Sequence, residues 1–166
     1  MIIDGSLQFT GTAGTVSTDS PTTGTQQSTN IINWVNPRDM GIGDNPALKL
    51  LIQIMTTFAD GTSLNVQLQG APDNGSGSPG SYTTMWESSV QAEAVLVAGR
   101  YLANVDLPRV LLPSPNTGAT AAQALPKFLR LQYVTVGTHT AGAIYAAIVL
   151  DRQDYQVYPA GITISN

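Results

Sequence analysis

ALKLLIQIMTTFADGTSLNVQLQG, residues 47–70, is the stretch that decides the fold class, because it contains two runs of alternating apolar and polar residues. Such alternation gives a half-buried β-strand one apolar face. The apolar positions are Leu48, Leu50, Ile52, Ile54 and Phe58, followed by Leu64, Val66 and Leu68. Asp60-Gly61 lies between the runs, and this dipeptide favours a tight turn between two strands. The stretch therefore predicts a β-hairpin whose apolar face needs a second apolar layer.

A second clear signal lies near the end of the sequence. Alternation returns at 127–137, and after Thr138-His139-Thr140 the run 142–151 is apolar on both faces. A strand that is apolar on both faces is central in a sheet or lies under a partner. We therefore expect two more strands here, the second of them covered on both sides.

Shorter strands complete the pattern. They are expected at 28–35, 82–91 and 94–107. The segment 88–98 also fits a short helix, and Gly99 indicates a bulge or bend in the strand that contains it. Eight or nine strands without a sustained helical period predict an all-β, antiparallel sandwich or barrel, with long loops at 71–81 and 114–126.

A chain of 166 residues has the size of one domain. Residues 1–27 open with a short apolar patch and continue as a Thr-, Ser- and Gly-rich tract, which has too little apolar surface to become ordered by itself. We expect 1–27 to be an N-terminal arm or loop region packed on the domain, and 28–166 to be the single domain. A disordered terminus and an arm that becomes ordered when it binds a partner fit this composition equally well.

The composition argues against several classes of partner. Charged residues make up 11% of the chain, against about 25% in average soluble domains. The net charge is −4 and no run of Lys or Arg occurs, so we expect no binding to nucleic acid or to an anionic membrane. Without a long apolar run or a signal-peptide pattern, a soluble and unexported chain is expected. A sparsely charged surface favours a component of an assembly.

No catalytic residue, cofactor or metal site is expected. His139, the one histidine, lies in a Thr-rich turn and is predicted to be exposed, and no nucleophile motif accompanies it. Since cysteine is absent, a zinc site would need three carboxylates beside this histidine. Glu87 and Glu93 are the only glutamates, and no pair of carboxylates for glycoside hydrolysis stands out. The sequence therefore predicts that the chain is not an enzyme.

Four large aromatic residues could form a sugar-binding platform or anchor an interface, although in a sandwich such residues more often lie in the core. They are Trp34, Trp86, Tyr82 and Tyr101. A carbohydrate-binding, lectin-like jelly roll would need exposed aromatic residues beside Asp or Asn, such as Trp86 near the 71–81 loop. This class of protein stays open as the alternative.

Four passages of the sequence resemble one family. They are MIIDGSLQFTGT at the start, NPRDMGIGDNPALKLLIQI at 36–54, GTSLNVQLQGAPDNGSGSPGSYTTM at 61–85 and LRLQYVTVG at 129–137. Together they look like the capsid cement (decoration) proteins of certain tailed bacteriophages, a family of small jelly-roll proteins. The resemblance implies an antiparallel jelly-roll sandwich of about eight strands with long loops and an extended N-terminal arm, which agrees with the strand count.

The resemblance also implies a structural virion protein. Such a protein binds the outer surface of the phage head, bridges major capsid protein subunits and stabilises the mature capsid, after being made in the host bacterial cytoplasm. It would associate as a homodimer on two-fold positions, or as a homotrimer on three-fold positions. Residues 1–27 are expected to reach across the capsid surface. The residues expected to bind partners are Ile2, Ile3, Leu7, Phe9, Trp34, Met40 and Trp86.

Overall fold

The structure is a computed structural model that describes residues 7–12, 17–33, 48–107, 112–113, 123–124 and 126–150. Within these residues the fold is all-β and antiparallel, which confirms this part of the prediction. The strands are β1 Thr23–Gln27, β2 Ile32–Asn33, β3 Leu48–Ala71, β4 Thr83–Glu87, β5 Gln91–Ala92, β6 Tyr101–Asp106, β7 Leu112–Pro113, β8 Gln123–Ala124 and β9 Phe128–Leu150. One turn of 3-10 helix, Glu93–Val95, follows β5.

Two long strands, β3 and β9, form the centre of a seven-stranded sheet. They pair along nearly their whole lengths, from Leu48 opposite Leu150 to Ala71 opposite Phe128. β1 and β2 pair with β9, whereas β4, β5 and β6 pair with β3. β7 and β8 form a separate pair. The sheet is therefore built around one ladder whose two strands are far apart in sequence.

The hairpin predicted at Asp60-Gly61 is wrong. β3 runs through this dipeptide without reversing, because the residues on both sides of it pair with β9 and not with each other. Asp60 does adopt a positive φ of 67°, but the outcome is a bend, and the register shifts repeatedly between Ile54 and Ser63. The break predicted at 138–140 is likewise a bend within β9. Cross-strand contacts along the long ladder outweigh the local preference for a turn.

Both halves of this bent ladder contribute to one hydrophobic core. The alternating apolar positions predicted on β3 are buried there, together with their counterparts on β9. From these two strands the cluster includes Leu50, Ile52, Ile54, Phe58, Leu64, Val66, Leu68, Leu129, Leu131, Tyr133, Ile144, Ala146 and Ile148. A smaller cluster on the other face contains Leu51, Tyr145, Ala147 and Val149. Residues 143–149 are therefore buried on both faces, as predicted for a central strand.

Part of the N-terminal tract packs directly on β9. Leu7 and Phe9 lie in the main core. The backbone N–H of Phe9 donates to the carbonyl oxygen of Ala146 at 2.9 Å, and the N–H of Asn30 donates to the carbonyl oxygen of Phe9 at 2.9 Å. With β1 also paired to β9, these residues share one body with the sheet.

Candidate functional site

The structure separates the residues that were predicted to bind a partner. Ile2, Ile3, Trp34 and Met40 lie outside the described residues. Leu7 and Phe9 are 6% and 0% exposed, so the prediction that they contact a partner is corrected: the backbone pairing of this segment with β9 directs both side chains into the protein's own core. Trp86 is partly buried on β4, opposite Leu68, and packs against the same core.

Exposed apolar side chains instead gather on β6 and on the segment that leads to it. Four of them are at least 37% exposed: Val95, Val97, Tyr101 and Val105. The strand predicted at 94–107 is shorter than expected, because Gly99 with φ +87° directs the chain into β6. β6 pairs with β3 on one side, and within the described part of the chain no strand pairs with its other side. We call that outer side of Tyr101–Asp106 the β6 edge.

Backbone groups of the β6 edge point away from the sheet. The N–H of Leu107 donates to the carbonyl oxygen of Leu48 at 2.9 Å, in register with the β3–β6 ladder. Hydrogen-bonded and non-hydrogen-bonded pairs alternate in an antiparallel ladder. The N–H and C=O groups of Asn104 and Asp106 therefore face outward, and such a row is a template for pairing with another strand.

Opposite charges lie at the two ends of β6. Arg100 immediately precedes the strand, and its guanidinium donates to the carbonyl oxygen of Val95 at 2.7 Å and to Oε1 of Gln91 at 2.9 Å. Among the described residues no carboxylate forms an ion pair with Arg100. Asp106 ends the strand and accepts from Nζ of Lys49 at 2.7 Å, although 84% of its side chain is exposed. Opposite charges therefore flank β6, and that of Asp106 is paired with Lys49.

A polar groove of about 540 Å³ lies beside the N-terminal segment and includes Asp19 in its wall. Oδ1 of Asp19 accepts from the N–H of Gly11 at 3.1 Å and from the hydroxyl of Thr29 at 2.6 Å. Oδ2 accepts from the N–H of Thr29 at 3.0 Å and from the hydroxyl of Tyr133 at 2.9 Å. A buried carboxylate with four donors is satisfied, so Asp19 fastens the N-terminal segment to β9 and is not offered to a ligand.

Burial also changes the ionisation of three tyrosines. Burial raises the pKa of Tyr133 well above its ordinary value of 10.0, and the charge of Asp19 and the hydrogen bond to it raise this pKa further. Burial raises the pKa of Tyr145 too, and that of Tyr82, where the nearby charge of Arg130 opposes the shift. These phenols therefore stay protonated at neutral pH, and the hydroxyl of Tyr133 donates to Asp19.

His139 is not the exposed turn residue that the sequence predicts. It lies within β9 and is 2% exposed. The ring occupies space that Gly61 leaves open and meets the ring of Phe58 edge-on, with centroids 5.0 Å apart. Nε2 lies 3.3 Å from the carbonyl oxygen of Ser63, and Nδ1 lies 3.6 Å from Oε2 of Glu93. The imidazole packs the bend of the ladder and is closed to substrates.

Of the four aromatic residues considered for sugar binding, Tyr101 is exposed, Trp86 packs against the core and Trp34 lies outside the described residues. The guanidinium of Arg130 lies 3.7 Å from the ring centroid of Tyr82 and covers one face of that ring. In the neighbouring 71–81 loop, Oδ1 of Asp73 accepts from the backbone N–H groups of Gly75 and Gly77. The carboxylate is therefore engaged in holding its own loop.

The β6 edge is the surface best suited to a functional contact. Among the described residues no group of three or more His, Cys, Asp or Glu side chains could hold a metal ion. In the same part of the chain, no helix has the length and apolar character needed to cross a membrane. Sequence reasoning named Tyr101 among the residues that could anchor an interface, but it did not identify the β6 edge, because the alternation in β6 looks like that of any half-buried strand.

A protein family model described as Bbp16 matches residues 16–148. This range covers most of the chain, including all of β3 and β6 and nearly all of β9. No curated protein matches the chain.

Proposed function

The chain belongs to the Bbp16 family, and we propose that it is a capsid cement protein of a tailed bacteriophage. In this role it binds the outer surface of the phage head, bridges neighbouring subunits of the major capsid protein and stabilises the mature capsid. It is a structural virion protein and not an enzyme. The passages at 36–54, 61–85 and 129–137 support the proposal by their resemblance to such proteins.

The structural observation that carries the proposal is the β6 edge. It exposes Tyr101 and Val105, each to 37%, in a protein with only 11% charged residues. Covering an apolar surface with another protein is favourable because it removes that surface from water. A protein that bridges subunits needs surfaces of this kind.

The proposal includes a jelly-roll sandwich, in which two sheets pack face to face. Its support is that residues from both halves of β3, such as Ile52 and Val66, belong to the same buried cluster. Strands that bend at bulges pass from one sheet to the other in folds of this type. The bend between Ile54 and Ser63 has that character.

Binding to capsids tests the proposed function directly. Purified protein is titrated into phage heads that have been stripped of decoration, and bound and free protein are separated by sedimentation. We expect saturation at a fixed number of copies per head and greater resistance of the decorated heads to heating. If the heads bind none of it, the cement function is wrong, and a glycan array then tests the lectin-like alternative.

The role of the N-terminal tract needs a narrower deletion than residues 1–27. Removing all of them would delete β1 and the core residues Leu7 and Phe9, so lost binding would only report unfolding. Deleting residues 1–6, which contain Ile2 and Ile3, leaves the described core intact. We expect weaker binding to heads with an unchanged unfolding transition. Undiminished binding would show that this segment does not reach the capsid.

A further inference from the structure

We infer that the chain also binds a neutral glycan, on the outer face of the sheet beside the half of β3 that does not pair with β6. This face consists of the outward side chains of β1, of β4, of residues 63–69 in β3 and of residues 130–136 in β9. We call it the amide face. The inference goes beyond the proposed function and does not depend on it.

Glutamine side chains stand side by side across the middle of the amide face. The register places Gln27 of β1 opposite Gln132 of β9, and Gln132 opposite Gln67 of β3. Glu87 of β4 continues the row beyond Gln67. Residues in register on neighbouring strands lie on the same side of a sheet. Because neighbouring strands are about 4.8 Å apart, the three amides form a row of about 10 Å.

Arg130 fixes the direction in which these amides point. A guanidinium can only donate hydrogen bonds, so the amide atoms that it contacts are oxygens. Its Nε donates to Oε1 of Gln69 at 2.9 Å, and its Nη1 donates to Oε1 of Gln27 at 2.7 Å. The NH2 group of Gln69 in turn donates to Oε1 of Gln132. The oxygens of Gln27 and Gln132 are therefore engaged within the face, and their NH2 groups point elsewhere.

The amide face thus presents donors that the protein itself leaves unused. Oε1 of Gln67 accepts from Nε2 of Gln69 at 3.4 Å. In the part of the chain that the structure describes, the NH2 groups of Gln27, Gln67 and Gln132 donate to no acceptor. All three residues are exposed or half-buried, so these donors face water. At the end of the row, Oε2 of Glu87 accepts from Nδ2 of Asn65 at 3.0 Å, and the carboxylate keeps further capacity to accept.

A sugar chain suits this pattern of groups. Its oxygens accept from amide donors, and its hydroxyl groups donate to a carboxylate such as that of Glu87. The strand spacing is close to the length of one sugar ring, so an extended glycan that lies across the strands meets successive amides. Its C–H groups need small apolar contacts beside the polar row. Val134 follows Gln132 on the same face, and Val136 is 55% exposed.

The charges of the amide face favour a neutral glycan over a polyanion. Its four strand segments contain two charged residues, Arg130 and Glu87, which are of opposite sign. The guanidinium of Arg130 is held by two amides and by the ring of Tyr82, whose centroid is 3.7 Å away. The chain as a whole has a net charge of −4, which repels a polyanion.

Native gels that contain a polysaccharide test this inference on the full-length chain. The panel consists of neutral glucans, mannans, galactans and uncharged bacterial O-antigens, with hyaluronate and alginate as anionic comparisons. We expect at least one neutral polysaccharide to retard the protein and neither anionic one to do so. The dependence of the retardation on polysaccharide concentration gives the affinity.

Gln132→Glu is the decisive variant, because it keeps the oxygen that Gln69 binds and replaces the unused NH2 group by a second oxygen. It should weaken retardation about tenfold, since a donor to the glycan is lost. Gln67→Glu makes the same change on β3 and serves where Gln132→Glu does not fold. Gln26→Glu is the matched control: it adds the same charge on β1, but in register with the buried Tyr133 and not with the row. It should leave retardation unchanged.

Loss of retardation in Gln132→Glu but not in Gln26→Glu, with equal melting temperatures, supports the amide face as a glycan site. The inference is overturned if no neutral polysaccharide retards the protein, or if the folded Gln132→Glu and Gln67→Glu variants bind as the original chain does. Retardation by the anionic polysaccharides alone overturns it as well.

Capsid binding by the same variants separates this outcome from that of the proposed function. A chain that saturates heads but is retarded by no glycan keeps the cement function and loses this inference. A chain that binds a glycan through the amide face but ignores heads keeps the glycan site and loses the cement function. If Gln132→Glu weakens binding to heads and not to glycans, the amide face is a protein contact and the glycan site is wrong.

Discussion

Gly61 and His139 show how single residues fix the bend of the central ladder. A Cβ at Gly61 would lie 2.1 Å from both Cε1 and Nδ1 of the His139 ring, and that ring cannot move freely because it is 2% exposed and packed on Phe58. We expect Gly61→Ala to lower the free energy of unfolding by about 1–3 kcal/mol, the usual cost of overpacking a core. Urea unfolding followed by tryptophan fluorescence measures this change.

The matched control removes the His139 ring, which the new methyl group at position 61 would meet. In Gly61→Ala/His139→Ala the new methyl group meets a shortened side chain, so the double variant should be more stable than the sum of the two single changes predicts. Additive effects would mean that the two residues do not contact each other. That outcome would contradict the packing of the bend described above.

Ionisation of Tyr133 is expected to lower the stability of the folded protein at alkaline pH. Its pKa is raised in the folded protein above the ordinary value of 10.0, so the folded state holds the phenolic proton more tightly than the unfolded state does. This contribution is complete below about pH 10 and is lost as pH rises through the folded pKa. We expect stability to fall above pH 10 and the fall to be smaller in Tyr133→Phe, as measured by urea unfolding at a series of pH values.

The same variant should lose about 1 kcal/mol at neutral pH, since the hydrogen bond to Asp19 is removed. Tyr82→Phe is the comparison, because Tyr82 is less buried and Arg130 opposes the rise of its pKa. Equal alkaline profiles for Tyr133→Phe and the unmodified protein would refute this source of the pH dependence.

At the level of elements, β3 is one long strand because its bend accepts a positive φ without reversing the chain. Asp60 has φ +67°, a conformation that costs most L residues about 1–2 kcal/mol. Asp60→Gly should therefore leave stability nearly unchanged, whereas Asp60→Val should destabilise the protein by about that amount. Asp60→Asn separates the backbone effect from loss of the carboxylate that accepts from Thr140. If Val were tolerated as well as Gly, backbone strain would not govern this bend.

The elements also show how far sequence reasoning reaches. Alternation identified the core positions of β3, such as Ile52 and Val66, because burial on one face leaves a period of two in any sheet. It failed at Asp60-Gly61, since a local turn preference does not reveal a partner strand as distant as β9. For the same reason the sequence did not predict the burial of His139. The turn expected at 138–140 lies within strand β9, where β9 follows the bend of β3.

The candidate site was less predictable than the fold. Leu7 and Phe9 carry an apolar pattern that fits a partner as well as a core, and only their pairing with β9 decides between the two. The exposure of Val105 depends on which strand stands at the edge of the sheet. Strand order is set by long-range pairing, which neither composition nor period encodes.

The whole molecule depends on one ladder between distant parts of the chain, and this predicts how fragments behave. A fragment 1–107 contains β3 without β9, and a fragment 108–166 contains β9 without β3. Each would expose half of a shared core, including Leu64 or Leu131, so neither should fold by itself. Mixed together they should recover β-structure, as seen by far-ultraviolet circular dichroism, and unfold cooperatively. A hairpin within 47–70 could fold without β9. Cooperative unfolding of fragment 1–107 alone would therefore support the local hairpin and contradict the pairing of β3 with β9.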